Sequence, residues 1–246
     1  MANLHPERGW WFLAAIVLVH GSWHGGWCWQ RVAPLLRQAG HEVWTPTLTG
    51  LAERRHLLSP EVDLRLHTRD VTELLAFEGL RDVILVGHSY AGMVIASVAA
   101  AEPERLHLLV YLDAYLPKPG ETEIDLWPPE EIAAARRELE EPLPVRPPAS
   151  PAWLGITDAQ DAAWVASRLT AHPLRTYAQP VPPGGEGVPG VYVRCMEGPL
   201  VERFASSAAR ARERGWPVID LQSGHDAMVT APEELARLLD RCASEP

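Results

Sequence analysis

Lysine is nearly missing from this chain: among 22 basic residues only Lys118 is a lysine. So one-sided a choice of arginine reflects genomic base composition rather than a function. Basic residues are also too few, 22 against 32 acidic ones for a net charge of −10, which argues against a nucleic-acid or anionic-membrane partner. Cysteine is scarce. Cys28, Cys195 and Cys242 lie far apart and match no metal or redox spacing, so they read as plain thiols in a reducing compartment, and a cytoplasmic protein is expected. The one stretch resembling a targeting segment, Trp10 to Val19, is too short to span a bilayer. Glu7 sits beside Arg8 ahead of it and no small-residue cleavage site follows, so it reads as a buried strand. No nucleotide, flavin or metal motif and no internal repeat occurs, and no cofactor is expected. What remains is a chain of 246 residues, 47% apolar, which suits one globular α/β domain with an insertion.

The stretch that organises the rest is Asp82-Val-Ile-Leu-Val-Gly-His-Ser-Tyr-Ala-Gly92. An apolar strand runs to Gly87, and a helical pattern begins by Met93. Ser89 therefore falls on a sharp strand-to-helix turn, where only small neighbours let the two elements approach. Gly87, Ala91 and Gly92 supply them. The arrangement reads as a nucleophile elbow, G-x-S-x-G, with alanine in the last position.

Around it, strands and helices alternate. Strands are expected at Trp10–Val19, His41–Pro46, Asp82–Gly87, His107–Leu112, Val191–Cys195 and Pro217–Leu221. Helices are expected at Trp27–Gln38, Thr68–Glu78, Met93–Ala101, Leu200–Arg214 and Ala231–Cys242. Such alternation implies a mostly parallel sheet covered on both faces. Between Pro117 and Pro189 the pattern breaks: 14 of the 23 prolines fall there, with acidic helices near 129–141 and 158–170. Trp127, Trp153 and Trp164 need burial, so this segment reads as a cap (117–189) inserted into a core made of 1–116 and 190–246.

A serine hydroxyl needs a base, and the base needs an orienting group. Of ten histidines, His225 alone lies on a loop after the last strand, in Gln222-Ser-Gly-His-Asp-Ala-Met228, where the order serine, acid, histidine would put the base. An oxyanion hole needs aimed backbone N–H groups. Tyr90, following the nucleophile, offers one; Ser22, after His20-Gly21 at the end of the first strand, offers the other.

His20-Gly-Ser-Trp-His-Gly-Gly-Trp27, Leu48-Thr-Gly-Leu-Ala-Glu-Arg-Arg55, Gly87-His-Ser-Tyr-Ala-Gly92 and Ser223-Gly-His-Asp-Ala-Met228 together resemble the methyl-ester esterase and hydroxynitrile lyase group of the α/β-hydrolases, its bacterial esterases above all. The resemblance covers nearly the whole chain. It implies a cofactor-free hydrolase with a small helical cap and a mostly apolar pocket. Two departures stand out. The lyases look to carry threonine in place of Gly21 and lysine in place of Asp226; a carboxylate where a cation would hold cyanide disfavours lyase chemistry. Plant members resemble Arg194-Cys-Met-Glu-Gly-Pro199 but place their acid where this chain has Gly198. The acid is then Asp113, ending the strand next to the nucleophile strand, with Glu197 the alternative. Tyr111-Leu-Asp-Ala114 also resembles haloalkane dehalogenases, some of which hold their acid there.

The expected protein is a serine carboxylesterase for a small, largely apolar ester. A thioesterase, amidase or biosynthetic cyclase or lyase on the same triad is the alternative, as is a catalytically weakened small-molecule receptor. Trp23, His24, Tyr115, Trp127 and Trp153 are candidates for the pocket. Arg54, Arg55 and His56, and the acids Glu130, Glu131 and 138–141, read as solvated charge. A small-molecule ester is the expected partner, and a homodimer is left open.

Overall fold

The computed structural model describes residues 13–244. Among the described residues eight strands are formed: β1 (Ala15–Val19), β2 (Glu42–Trp44), β3 (Val83–His88), β4 (Leu106–Leu112), β5 (Val145–Arg146), β6 (His172–Pro173), β7 (Gly190–Cys195) and β8 (Val218–Leu221). Six of them make one all-parallel sheet in the order β2-β1-β3-β4-β7-β8, and β5 pairs antiparallel with β6. The helices are α1 (Ala33–Gln38), α2 (Leu64–Phe77), α3 (Ala91–Ala101), α4 (Pro129–Glu138), α5 (Ala159–Ala166), α6 (Ala205–Glu213), α7 (Ala227–Thr230) and α8 (Pro232–Ser244).

The central strands β1 and β3 are almost wholly apolar because both sheet faces are covered there. Successive side chains point to opposite faces. Ile16, Leu18, Ile84, Val86, Val110 and Leu112 accordingly pack with Leu36 of α1 and Leu235 and Leu239 of α8. Val17, Val19, Val83, Leu85, Leu109 and Tyr111 pack with Val71 of α2, Val94 and Val98 of α3 and Ala208 of α6. Parallel register brings the carboxyl ends of β1, β3 and β4 level: Val19 pairs with Gly87 and His88 with Leu112. The turns leaving these strands therefore open side by side, where open parallel sheets bind ligands.

Several boundaries differ from the sequence pattern. The helix expected over Trp27–Gln38 splits into a 3-10 turn, Gly26–Trp29, and α1. Pro34 has no N–H to give and fits only a first turn, so a new helix starts there. Helix α2 starts four residues early because Asp63 caps it, accepting from Leu66 N at 2.9 Å. Helix α6 starts five residues late; Leu200, Arg203 and Phe204 are turned into the cavity described below. The first strand begins at Ala15, and residues 10–12 of the expected one lie outside the described residues. Residues 117–189 add no strand to the main sheet. Among the described residues, no helix is long and apolar enough to cross a membrane.

Candidate active site

Ser89 follows β3 directly and has φ +55°, in the left-handed region that L-residues other than glycine rarely adopt. Backbone bonds hold it there: Ser89 N donates to Leu112 O at 3.2 Å, while Gly92 N and Tyr115 N donate to Ser89 O. The close approach falls at Gly92, where any Cβ would run into the Tyr115 carbonyl; Ala91 fits beside it, fully buried. That is why alanine is tolerated in the last position of the elbow.

Asp113 occupies the same place after β4 that Ser89 occupies after β3, also with positive φ (+41°). Its Oδ2 lies 2.7 Å from His225 Nδ1, and its Oδ1 accepts from Cys195 N at 3.2 Å. Asp113 and His225 are 1% and 3% exposed. Phe204 stacks on the imidazole, ring centroids 5.0 Å apart, and His88 Nε2–H donates to the His225 carbonyl at 3.0 Å. Burial and the neighbouring His225 hold His88 well below the usual histidine range, so it is a neutral donor. Glu197 is exposed after β7; its N–H donates to Ser223 O at 3.0 Å, but its carboxylate meets no partner among the described residues. Asp113 is thus the carboxylate that meets His225.

The turn after β1 is pinned by neutral histidines. His20 Nε2 accepts from Leu48 N, so its Nδ1–H donates to Gly21 O at 2.8 Å; burial pulls this ring down to about 3. His172 Nδ1 accepts from Trp23 N at 3.3 Å. His67 donates to Thr49 O and accepts from the Tyr90 hydroxyl, its burial lowering it to about 4. Ser22 Oγ accepts from the Tyr177 hydroxyl at 2.7 Å. Neither Ser22 N nor Tyr90 N meets an acceptor among the described residues. At Gly21 an added Cβ would stand 2.8 Å from His88 Nδ1 and 2.9 Å from Ser89 Cβ.

Ser22, Ser89 and His225 open into one cavity of about 400 Å³. Trp23, Tyr115, Trp127 and Trp153 line it, with Tyr177, Leu200 and Phe204. His24 does not. It is buried behind the turn, where Nδ1–H donates to Ser22 O at 2.7 Å and Nε2–H to Asp226 Oδ2 at 3.0 Å. Burial opposes its charge, but Asp226 outweighs burial, and His24 is raised while Asp226 is lowered: a buried ion pair. Asp226 is fully buried and does not line the cavity, although one of its carboxylate oxygens lies within 4.8 Å of a His225 ring nitrogen. With His24 it ties the His225 loop to the Ser22 turn. His88, His225 and Asp226 are the only group among the described residues with metal-ligand atoms clustered; His88 Nε2, His225 Nδ1 and Asp226 Oδ2 serve the bonds above, while His88 Nδ1 and Asp226 Oδ1 are buried without a hydrogen-bond partner.

The outer wall holds groups the sequence did not point to. Arg203 grips Glu131 with two bonds, at 2.9 and 3.0 Å, and donates to the Tyr115 hydroxyl at 2.7 Å. Glu131 is thus a cavity residue and not simply a solvated helix face. Glu123 is 3% exposed and lines the cavity; burial pushes it up to about 8, against the pull of Arg203, the Trp127 N–H and Arg146. The one local signal is the Glu123–Trp127 spacing, four residues, which lets Trp127 Nε1 donate to Glu123 Oε1 at 3.2 Å.

A serine on a strained elbow, an acid-held histidine and two free N–H groups over one cavity, on a parallel sheet of this order, define an α/β-hydrolase. The chain belongs to the alpha/beta hydrolase family, whose model matches residues 16–238. It is 40% identical over 240 residues to a carbendazim-hydrolysing esterase from Nocardioides sp., covering 92% of this chain and 98% of that protein. It is 36% identical over 104 residues to methylesterase 1 of Arabidopsis thaliana, covering 41% of this chain and 39% of that one. Among solved structures, an extracellular α/β-hydrolase from a Paenibacillus species superposes with a TM-score of 0.82 at 22% identity, covering 95% of this chain and 100% of that one.

Proposed function

We propose that the protein is a serine carboxylesterase acting on a small, largely apolar ester. Ser89 Oγ attacks the ester carbonyl while His225 Nε2 takes its proton. Asp113 holds His225 Nδ1–H and stabilises the imidazolium that forms. The Ser22 and Tyr90 N–H groups receive the oxyanion, in a site where such donors are worth most. Collapse expels the alcohol, which takes the proton from His225. Water, activated by the same histidine, then frees the acid and restores Ser89. Residues 117–189 act as the cap that shapes the pocket.

The observation that carries this reading is the 2.7 Å His225–Asp113 bond, with Ser89 at positive φ opening into the same cavity as His225, all at the carboxyl end of the sheet. The esterase names of the relatives support it, and the buried thiols Cys28 and Cys195 suit a reducing cytoplasm. A fluorophosphonate probe should label Ser89 alone, and the labelled protein should lose hydrolysis of p-nitrophenyl acetate, methyl benzoate and carbendazim. Stoichiometric labelling elsewhere with activity retained would overturn the assignment.

A further inference from the structure

The turn that carries Ser22 is not held by the core alone. Trp23, the next residue, has φ +66°, a conformation that a tryptophan keeps only under constraint from its surroundings. All three of its polar groups are bound, and every partner comes from residues 117–189. Trp23 N donates to His172 Nδ1 at 3.3 Å, Trp23 Nε1 donates to Arg146 O at 3.2 Å, and Trp23 O accepts from Thr170 N at 3.0 Å. Tyr177, from the same segment, gives its hydroxyl to Ser22 Oγ. Among these partners His172 has its chemistry fixed by its neighbours. A backbone N–H only donates, so Nδ1 is the bare nitrogen and Nε2 carries the proton. Nε2–H donates to Thr176 Oγ1 at 2.8 Å, and the Thr176 hydroxyl donates in turn to Pro173 O at 2.8 Å. The bonds thus run one way, from the Trp23 N–H to a backbone carbonyl.

We infer that His172 is a positioning residue of the oxyanion hole: by holding Trp23 N it fixes the turn from which the Ser22 N–H is aimed. Two peptide planes meet at Ser22. His20 holds the first through Gly21 O, and His24 and His172 hold the second at its two ends, Ser22 O and Trp23 N. With those bonds made, the Ser22 N–H is the one donor of the two peptides left for the oxyanion. Without an acceptor at His172, Trp23 can leave positive φ, the Ser22–Trp23 peptide turns, and the neighbouring N–H loses its aim. Such a donor is worth most when it is aimed before the charge forms. The ring also packs between parts of both donors' surroundings. It stacks on Tyr177 with centroids 4.5 Å apart and meets the ring of Tyr90, the other donor residue, edge-on at 4.8 Å. Burial, with His67 nearby, keeps the imidazole well below the usual histidine range and so neutral.

The inference rests on the esterase reading of Ser22 and Ser89, and the test separates the two. Three quantities are measured for each variant: turnover of p-nitrophenyl acetate, inhibition by trifluoroacetophenone, and calorimetric binding of methyl benzoate in a Ser89→Ala background. The ketone forms an adduct with Ser89 that carries an oxyanion, whereas the bound ester does not. His172→Leu should lower kcat and weaken the ketone about 100-fold alike, because a donor misplaced by about 1 Å loses most of its effect. Methyl benzoate binding should change less than about twofold, since ground-state binding makes no use of the hole. His172→Asn returns an acceptor oxygen where Nδ1 stood and should recover kcat to within about tenfold of the parent. Thr176→Val keeps the shape but removes the acceptor that fixes the ring's tautomer, and should lower kcat about tenfold. Parent kcat in His172→Leu, equal losses of ketone and ester binding, or no recovery in His172→Asn overturns the inference. Should His172→Leu not fold, parent kcat in Thr176→Val overturns it instead. A parent that neither turns over esters nor binds the ketone on Ser89 would overturn the esterase reading, and this inference with it.

Discussion

The inner and outer walls of the cavity are built on different principles. The inner wall consists of turns that leave parallel strands: Ser22 after β1, Ser89 after β3 and His225 after β8, with Asp113 after β4 bonded to His225 behind it. Their positions follow from backbone register, and two of them, Ser89 and Asp113, keep positive φ because flanking backbone bonds hold them. The outer wall consists of side chains. Glu123, Glu131, Arg146, Trp127 and Trp153 come from residues 117–189, and Arg203 reaches across 72 residues to grip Glu131. The inner wall fixes what reaction is possible; the outer wall fixes what can enter it.

If that division holds, the largest losses come from the inner wall. Ser89→Ala and His225→Ala should each lower kcat by roughly 10⁴ or more, with the double variant little worse, because such groups act as a unit. Multiplicative losses in steady-state assays would contradict it. Asp113→Asn should cost about 10⁴ in kcat by presenting the wrong histidine tautomer, whereas Glu197→Gln should cost less than about tenfold. A dead Glu197→Gln beside an active Asp113→Asn would move the acid to β7.

Next comes the ion pair behind the inner wall. Asp226→Asn leaves His24 buried without its partner and should destabilise the protein by about 3–5 kcal/mol in urea titration. The pair's contribution has two edges. Asp226 is lowered, so it is lost as pH falls through the carboxylate range; His24 is raised, so it is lost as pH rises past its own value. Equal stability of parent and variant at neutral pH would show that the pair is merely tolerated.

The outer wall should show the opposite sign. Glu123 is raised to about 8, so the folded protein holds its proton where the unfolded chain has released it. Stability therefore falls as pH rises from the ordinary carboxylate range to about 8, and Glu123→Gln should gain a few kcal/mol there and flatten that slope. A variant less stable than its parent at pH 8 would mean that Glu123 is structural. The smallest effect expected is none at all: mandelonitrile should release no cyanide above background. The acidic and basic side chains of the lining are Arg146, Arg203, Glu123, Glu131 and His225, with no lysine.

The same division decides what could be read from sequence. The elbow was legible because a strand, a small-residue turn and a helix form a local signal with a steric cause. Asp113 was legible from topology, since β3 and β4 are consecutive strands and pair as such. His24 was misplaced because its partner lies 202 residues away, and nothing local distinguishes a pocket histidine from a buried one beneath the pocket. Glu131 looked solvated because a helix face alone does not reveal Arg203. Glu123 carried only its four-residue spacing to Trp127, a signal too common to single it out.

The central claim is that Ser89 carries the acyl group between two half-reactions. It is tested most directly by rapid acid quench of the protein with p-nitrophenyl acetate, followed by peptide mass spectrometry. The account predicts a transient acetyl adduct on the peptide holding Ser89, which appears with the p-nitrophenol burst and persists longer in Asp113→Asn. Full ester turnover with no adduct on that serine at any quench time would contradict it.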